Sequence, residues 1–292
     1  MEIQTWLIMT FAATLLWGVS GIFSKLSTPR LGVARVALLV AAVEGTLYSV
    51  AFLTLRDDDV VEMSYVLLGI GSCLLGIMGY LCFFEAIMEG QVSIAGTITA
   101  AYPALSVIGA VLIIQETLSW VQALGVICII AGIVGLSFEP NPGSKTAMSR
   151  RTLFFALAGF VLWGAWSLTS KIAIDNIGAG NIFGCYVVSS LTAPLIYGWI
   201  RRVRPVRNTP ANPSRRVWAL GAAGLGVNLI GAIAFSFALE GGTASLVVPI
   251  SSAYPMITVA LAVALLKERI DRLHIVPLVI VVIGLVLVGV TV

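Results

Sequence analysis

The sequence predicts an all-α integral membrane protein of ten transmembrane helices arranged as two inverted five-helix repeats. Three observations carry that expectation. Of the 292 residues, 59% are hydrophobic and only 11% are charged, with a mean hydropathy of +1.03. The apolar residues fall into ten runs, each long enough to cross a bilayer. The second half of the chain repeats the first.

A soluble domain is about a quarter charged. So few charges cannot cover a water-facing surface of this size, so most of the exterior must face lipid. A span needs ~20 mostly apolar residues. The first run, 4–24, has no basic stretch before it and reads as a retained helix, not a signal peptide. Run two, 32–55, carries Glu44 at its middle. Run three, 64–88, carries Tyr80, with Glu85 near its end. Run four is 92–114. Run five, 120–138, carries Gly125, Gly132 and Gly135, residues that let helices pack closely. Runs six to ten are 152–174, 178–200, 217–239, 243–266 and 272–291; run seven holds Gly180 and Gly184, and run eight holds Asn228. All ten are too continuously apolar for barrel strands, which alternate over about 10 residues.

Phe83, Ala86, Gly90, Ser93, Tyr102, Pro103 and Glu116 recur 152 positions later as Phe235, Ala238, Gly242, Ser245, Tyr254, Pro255 and Glu268. Trp17-Gly18, Ser24 and Lys25 recur 146 positions later as Trp163-Gly164, Ser170 and Lys171. The expected units are residues 1–140 and 152–292, joined by a linker, 141–151, that follows Pro140 and includes Pro142 and Gly143.

Loops alternate sides after each span, and Lys and Arg stay cytoplasmic. Fifteen of them fall on one side and only Arg56 and Lys171 on the other. This bias places both termini outside the cytoplasmic membrane. Five spans per copy is an odd number, so the second copy enters upside down. Such inverted repeats expose one central site to either side in turn.

These blocks resemble a known family. The early Trp-Gly…Ser-Lys block and the run-four block ending in Glu116 and Glu268 are similar to the EamA-type members of the drug/metabolite transporter superfamily. The resemblance implies a permease for a small organic solute. Half-sized relatives carry a membrane Glu eight residues before the first-helix Lys. Here that place holds Trp17 and Trp163, so their proton coupling does not carry over at these positions.

The candidate binding residues follow from spacing and from the repeat. Thr99, Tyr102 and Ser106 lie on one helical face, as do Ser251, Tyr254 and Thr258. Pro103 and Pro255 are expected inside these helices as hinges, each leaving a carbonyl without its usual donor. Packing kinks with hydroxyls bonded to their own helix are the other reading. Trp17, Trp163 and Tyr80 add aromatic surface, and each indole N–H wants an acceptor. Asn228 is a neutral polar candidate. Glu44 is the costliest residue, on the order of 3 kcal/mol at the bilayer centre. It is a candidate for proton coupling or for counter-charge to a cation. Glu85 is a second candidate, expected to reach the interface. Lys25 and Lys171 are expected to snorkel from their helix ends, and Glu116 and Glu268 to be structural.

The chain has one histidine, and its four cysteines lie in apolar runs without a CxxC. No metal and no cofactor are expected. No Gly-x-Ser-x-Gly or His-Glu-x-x-His is present, so an enzyme is not expected. The arginine run 201–216 lacks interleaved aromatics and points to lipid headgroups, not nucleic acid. The expected partners are a small organic solute, the lipid bilayer and, as coupling ion, a proton. Amino acids or related metabolites are the first solute class and organic cations the second. Two repeats in one chain form an internal pseudo-dimer, which is compatible with a functional monomer.

Overall fold

The computed structural model describes residues 2–58, 60–89, 98–136, 150–203, 212–267 and 272–291. The linker residues 141–149, Glu268, Arg204 and Arg207 lie outside these. The described residues are helical and contain no strand. The helices are α1 (Glu2–Leu31), α2 (Val33–Leu55), α3 (Met63–Glu89), α4 (Tyr102–Gly109), α5 (Trp120–Leu136), α6 (Arg150–Ile177), α7 (Ala179–Val203), α8 (Arg215–Gly241), α9 (Ala244–Ser251), α10 (Tyr254–Leu266) and α11 (Arg272–Gly289). A π-helical turn, Ala110–Ile114, extends α4. Among the described residues, seven helical stretches are long and apolar enough to cross a membrane, α9 and α10 counting together as one. Three shorter apolar helices cover Ile98–Ile114, Trp120–Leu136 and Leu273–Gly289.

The dominant helix pairs all join one repeat to the other: α1 with α8, α3 with α6, α2 with α7, and α5 with α11. The pairs exchange into one another when the repeats are exchanged, so the two halves are related by a pseudo-twofold axis. Lipid tails are as apolar as leucine, so burial of apolar surface cannot drive these contacts; close packing does. A Cβ on Gly132 would stand 2.5 Å from Val281, and one on Gly231 would stand 2.7 Å from Trp17.

Two of the turns between helices repeat as well. Gly32 and Gly178, 146 positions apart, each make a one-residue link to the next helix at φ 76° and 81°. Only glycine adopts this geometry without strain. Gln115 and Lys267, 152 positions apart, end their helices in the left-handed region at φ 65° and 56°. The turn at Gln115 brings Glu116 to the N-terminus of α9, where its two oxygens accept the N–H groups of Ala244 and Ser245 at 2.8 Å each. A carboxylate at a helix start satisfies orphan donors and complements the helix dipole.

Two expectations are corrected here. Pro103 and Pro255 are not inside their helices. They occupy the first turn of α4 and α10, after breaks at Ala101 and at Ser252-Ala253. Proline lacks the N–H that a first turn does not need, so starting a helix costs less than continuing one. Neither lysine ends its helix, since α1 continues past Lys25 to Leu31, and Lys171 does not snorkel. α6 continues past it to Ile177, and the side chain is buried, donating to the Leu239 carbonyl at 2.9 Å and to Asp175 at 2.6 Å.

Candidate functional site

The centre of the molecule is an aromatic arrangement made twice. Trp17 on α1 donates its Nε1–H to the Asn228 carbonyl on α8 at 3.1 Å. Trp163 on α6 donates to the Gly76 carbonyl on α3, also at 3.1 Å. Residues 76 and 228 are 152 positions apart, so the acceptors are repeat counterparts too. The Trp17 ring packs on Phe235 at 5.1 Å and meets Tyr254 edge-on at 6.2 Å. The Trp163 ring packs on Phe83 at 5.5 Å and meets Tyr102 edge-on at 5.7 Å. Each indole fits because a glycine faces it: a Cβ on Gly79 would lie 2.6 Å from Trp163, as one on Gly231 would from Trp17 at 2.7 Å.

Tyr254 lies within electrostatic reach of both Tyr80 and Tyr102. Tyr102 accepts a hydrogen bond from Ser252 at 2.7 Å, which ties α4 to the break between α9 and α10. Of the predicted stripe hydroxyls, Ser106 and Thr258 bind helices together, while Ser251 bonds within its own helix. Ser106 bonds Ser167 of α6 at 2.5 Å and its own Tyr102 carbonyl at 3.2 Å. Thr258 donates to the Gly18 carbonyl at 2.9 Å, and Ser251 to the Val248 carbonyl at 3.0 Å. Thr99 is fully buried. Asn228 contributes its backbone to Trp17.

The two carboxyl candidates lie on α2 and α3. Glu44 on α2 faces Ser190 on α7 and lies within reach of the phenols of Tyr48, Tyr80 and Tyr186. Glu85 does not reach the interface as expected. It is buried, and its Oε1 accepts from the Tyr197 hydroxyl of α7 at 2.5 Å. At the ends of α6 and α8 lies a separate cavity of about 440 Å³, lined among others by Trp6, Gln122, Lys171 and Glu240. No cluster of possible metal ligands occurs among the described residues.

Several residues of this arrangement escaped sequence reading. Phe83 and Phe235 had the needed signal, since they recur at the common offset. Gly79 and Gly231 recur at it as well, but a glycine gives no hint of what it faces. Trp166, which stacks on Phe235 at 5.4 Å, and Ser252 have no like residue in the other copy and left no signal.

Interlocked helical repeats with intramembrane aromatics and carboxyls define a polytopic membrane protein that handles solutes within the bilayer. The chain belongs to the EamA-like transporter family, whose model matches twice, over residues 4–138 and 150–290. This makes it a membrane transporter of the drug/metabolite transporter superfamily. An uncharacterized protein of Methanocaldococcus jannaschii is 40% identical over 136 residues, which is 98% of that protein and 47% of this chain. That relative has the length of one repeat. A solved crystal structure shares the fold with a TM-score of 0.76 at 19% identity, covering 97% of this chain and 96% of that one.

Proposed function

We propose that the chain is a secondary transporter that moves a small organic metabolite by alternating access, with amino acids or related metabolites as the first substrate class and export as the direction. In this reading the seven long helices and the three shorter ones make ten spans. The repeats, residues 1–140 and 152–292 joined by 141–151, stand inverted in the cytoplasmic membrane with both termini outside. A monomer is the working unit.

One observation supports the reading above others: each repeat's tryptophan is docked on the third helix of the opposite repeat, at the same distance and against a matched glycine. A solute near these rings meets the same groups whichever half has moved, as alternating access requires. Trp17, Tyr80, Tyr102, Trp163 and Tyr254 supply ring faces. Thr99, Ser106, Asn228, Ser251 and Thr258 supply hydrogen-bonding groups when helix contacts open. Pro103 and Pro255 mark the joints at which α4 and α10 pivot. Purified protein in liposomes should exchange radiolabelled leucine or threonine, and Trp17→Ala or Trp163→Ala should slow that exchange at least about tenfold, the value of one lost contact of ~1.4 kcal/mol. Equal exchange by both variants would remove the indoles from the pathway.

A second reading is favoured by Glu44. No basic side chain among the described residues acts on it. An organic cation held by cation–π contact and this carboxyl would satisfy it. A melting-temperature rise with choline but not with leucine selects that reading.

A further inference from the structure

Glu44 lies on the pseudo-twofold axis. Its counterpart at the 146-residue offset is Ser190, and Ser190 is the residue it faces. The surrounding contacts are symmetric about this point. Gly45 meets Leu191, its own counterpart; Phe52 meets Gly184, and Leu38 meets Gly198, each pair being the mirror of the other. Side chains on the axis keep their place when the halves exchange conformations, while the side that has access to them changes. One carboxyl there can be presented to both membrane faces in turn.

The groups around it are proton carriers, not cations. Ser190 and Tyr186 face it from α7, Tyr80 from α3, and Tyr48 from its own helix; α1 and α8 contribute no titratable neighbour among the described residues. The Ser190 hydroxyl is fully buried and makes no close hydrogen bond, so its donor is available to the carboxyl it faces. One turn away, Tyr186 stacks on Tyr48 at 4.7 Å and 9°, and its hydroxyl accepts from Trp166 at 3.0 Å and faces Ser170. Ser170 bonds Ser72 at 2.8 Å, and Thr169 donates to Ser72 at 2.9 Å. These hydroxyls lie along the α3–α6–α7 seam.

We propose that Glu44 binds and releases one proton in each transport cycle, and that the hydroxyls of Ser190, Tyr186, Ser170, Ser72 and Thr169 carry that proton. This rests on the transporter reading above and adds the coupling ion and its path. The step is proton exchange alone: carboxylate plus proton gives the neutral acid, and release reverses it. An intramembrane carboxyl without a cation is costly as an anion, so proton release is the step that needs a change of access.

The test is infrared difference spectroscopy of the purified protein in lipid between acid and alkaline buffer, run beside leucine flux in proteoliposomes. The protonated-carboxyl stretch should titrate in wild type, shift in Glu44→Asp, persist in Glu85→Gln and vanish in Glu44→Gln. Where flux occurs, wild type should respond to pH by up to about tenfold per unit, the limit for one proton. Glu44→Gln should stay within about twofold across the same range, and Tyr186→Phe should slow the approach to proton equilibrium. A carboxyl band that survives in Glu44→Gln, or a Glu44 that stays ionised throughout, overturns the proposal. So does stabilisation by choline that needs Glu44 while no carboxyl titrates. Absence of leucine flux in wild type and variants alike counts against the amino-acid reading and leaves the spectroscopic result on Glu44 standing.

Discussion

Trp17 and Trp163, equivalent residues of the two repeats, each give their indole proton to a backbone carbonyl of the other repeat over 3.1 Å. The two bonds cross the pseudo-twofold axis in opposite senses, so neither repeat can pack its first helix without the third helix of its partner. An indole N–H in a bilayer needs an acceptor, and the acceptor here is the opposite half of the chain.

The glycines that admit the indoles should not tolerate a methyl group. A Cβ on Gly79 or Gly231 would stand within 2.6 or 2.7 Å of a tryptophan ring, on a helix that cannot move without its partner. Gly79→Ala and Gly231→Ala should each cost about 1–3 kcal/mol through overpacking. Gly71, where a Cβ would meet nothing within 4 Å, is the control. Thermal unfolding in detergent measures the difference, and a Gly79→Ala protein as stable as Gly71→Ala would refute the steric account.

Glu116 should contribute stability across the repeat interface. Its carboxylate accepts two N–H groups at the start of α9. Glu116→Ala should lower stability by ~1–2 kcal/mol, the worth of a helix cap. Glu116→Gln, which keeps one acceptor and loses the charge, should fall between. Equal melting temperatures for all three proteins would show that water replaces the cap.

Ser106 and Ser167 should be energetically coupled, since their hydroxyls meet at 2.5 Å between α4 and α6. Intramembrane side-chain bonds average about 0.6 kcal/mol in double-mutant cycles. The cycle Ser106→Ala, Ser167→Ala and both together should return a coupling of that order. A purely additive double mutant would mean that each hydroxyl is content with its own helix carbonyl, as Ser167 is with Gly164 at 3.0 Å.

Orientation can be read by labelling. The proposed orientation, both termini outside, predicts that a cysteine at Asp57 or Thr291 reacts with an impermeant maleimide in intact cells, and one at Arg30 only after permeabilisation. The reverse pattern would invert the whole assignment without altering the fold.

The fold was legible in the sequence because its signals are long and repeated. Runs of ~20 apolar residues mark spans whatever their neighbours are, and the recurrence of Tyr102-Pro103 and Trp17-Gly18 marks the duplication. The helix breaks beside Pro103 and Pro255 were not legible, because a proline inside an apolar run can equally kink a helix or start one. The distant partners of Glu85 and Lys171 were not legible either. Tyr197 is 112 positions from Glu85, and the Leu239 carbonyl is 68 from Lys171. Burial by residues so distant leaves no local pattern, so both read as helix-end groups reaching for water.

The sequence by itself determined that the chain is helical, lies in a membrane and is built twice, since these follow from hydropathy and from recurrence, which need no contacts. Only the tertiary structure decided which copies touch. It set α1 on α8 and α3 on α6, placed Trp17 and Trp163 each against a glycine of the other repeat, and put Glu44 opposite its own counterpart Ser190. The reason is physical: within lipid, helices choose partners by the fit of small residues to large ones and by the few polar groups that must be satisfied. That choice depends on surfaces brought together from opposite ends of the chain.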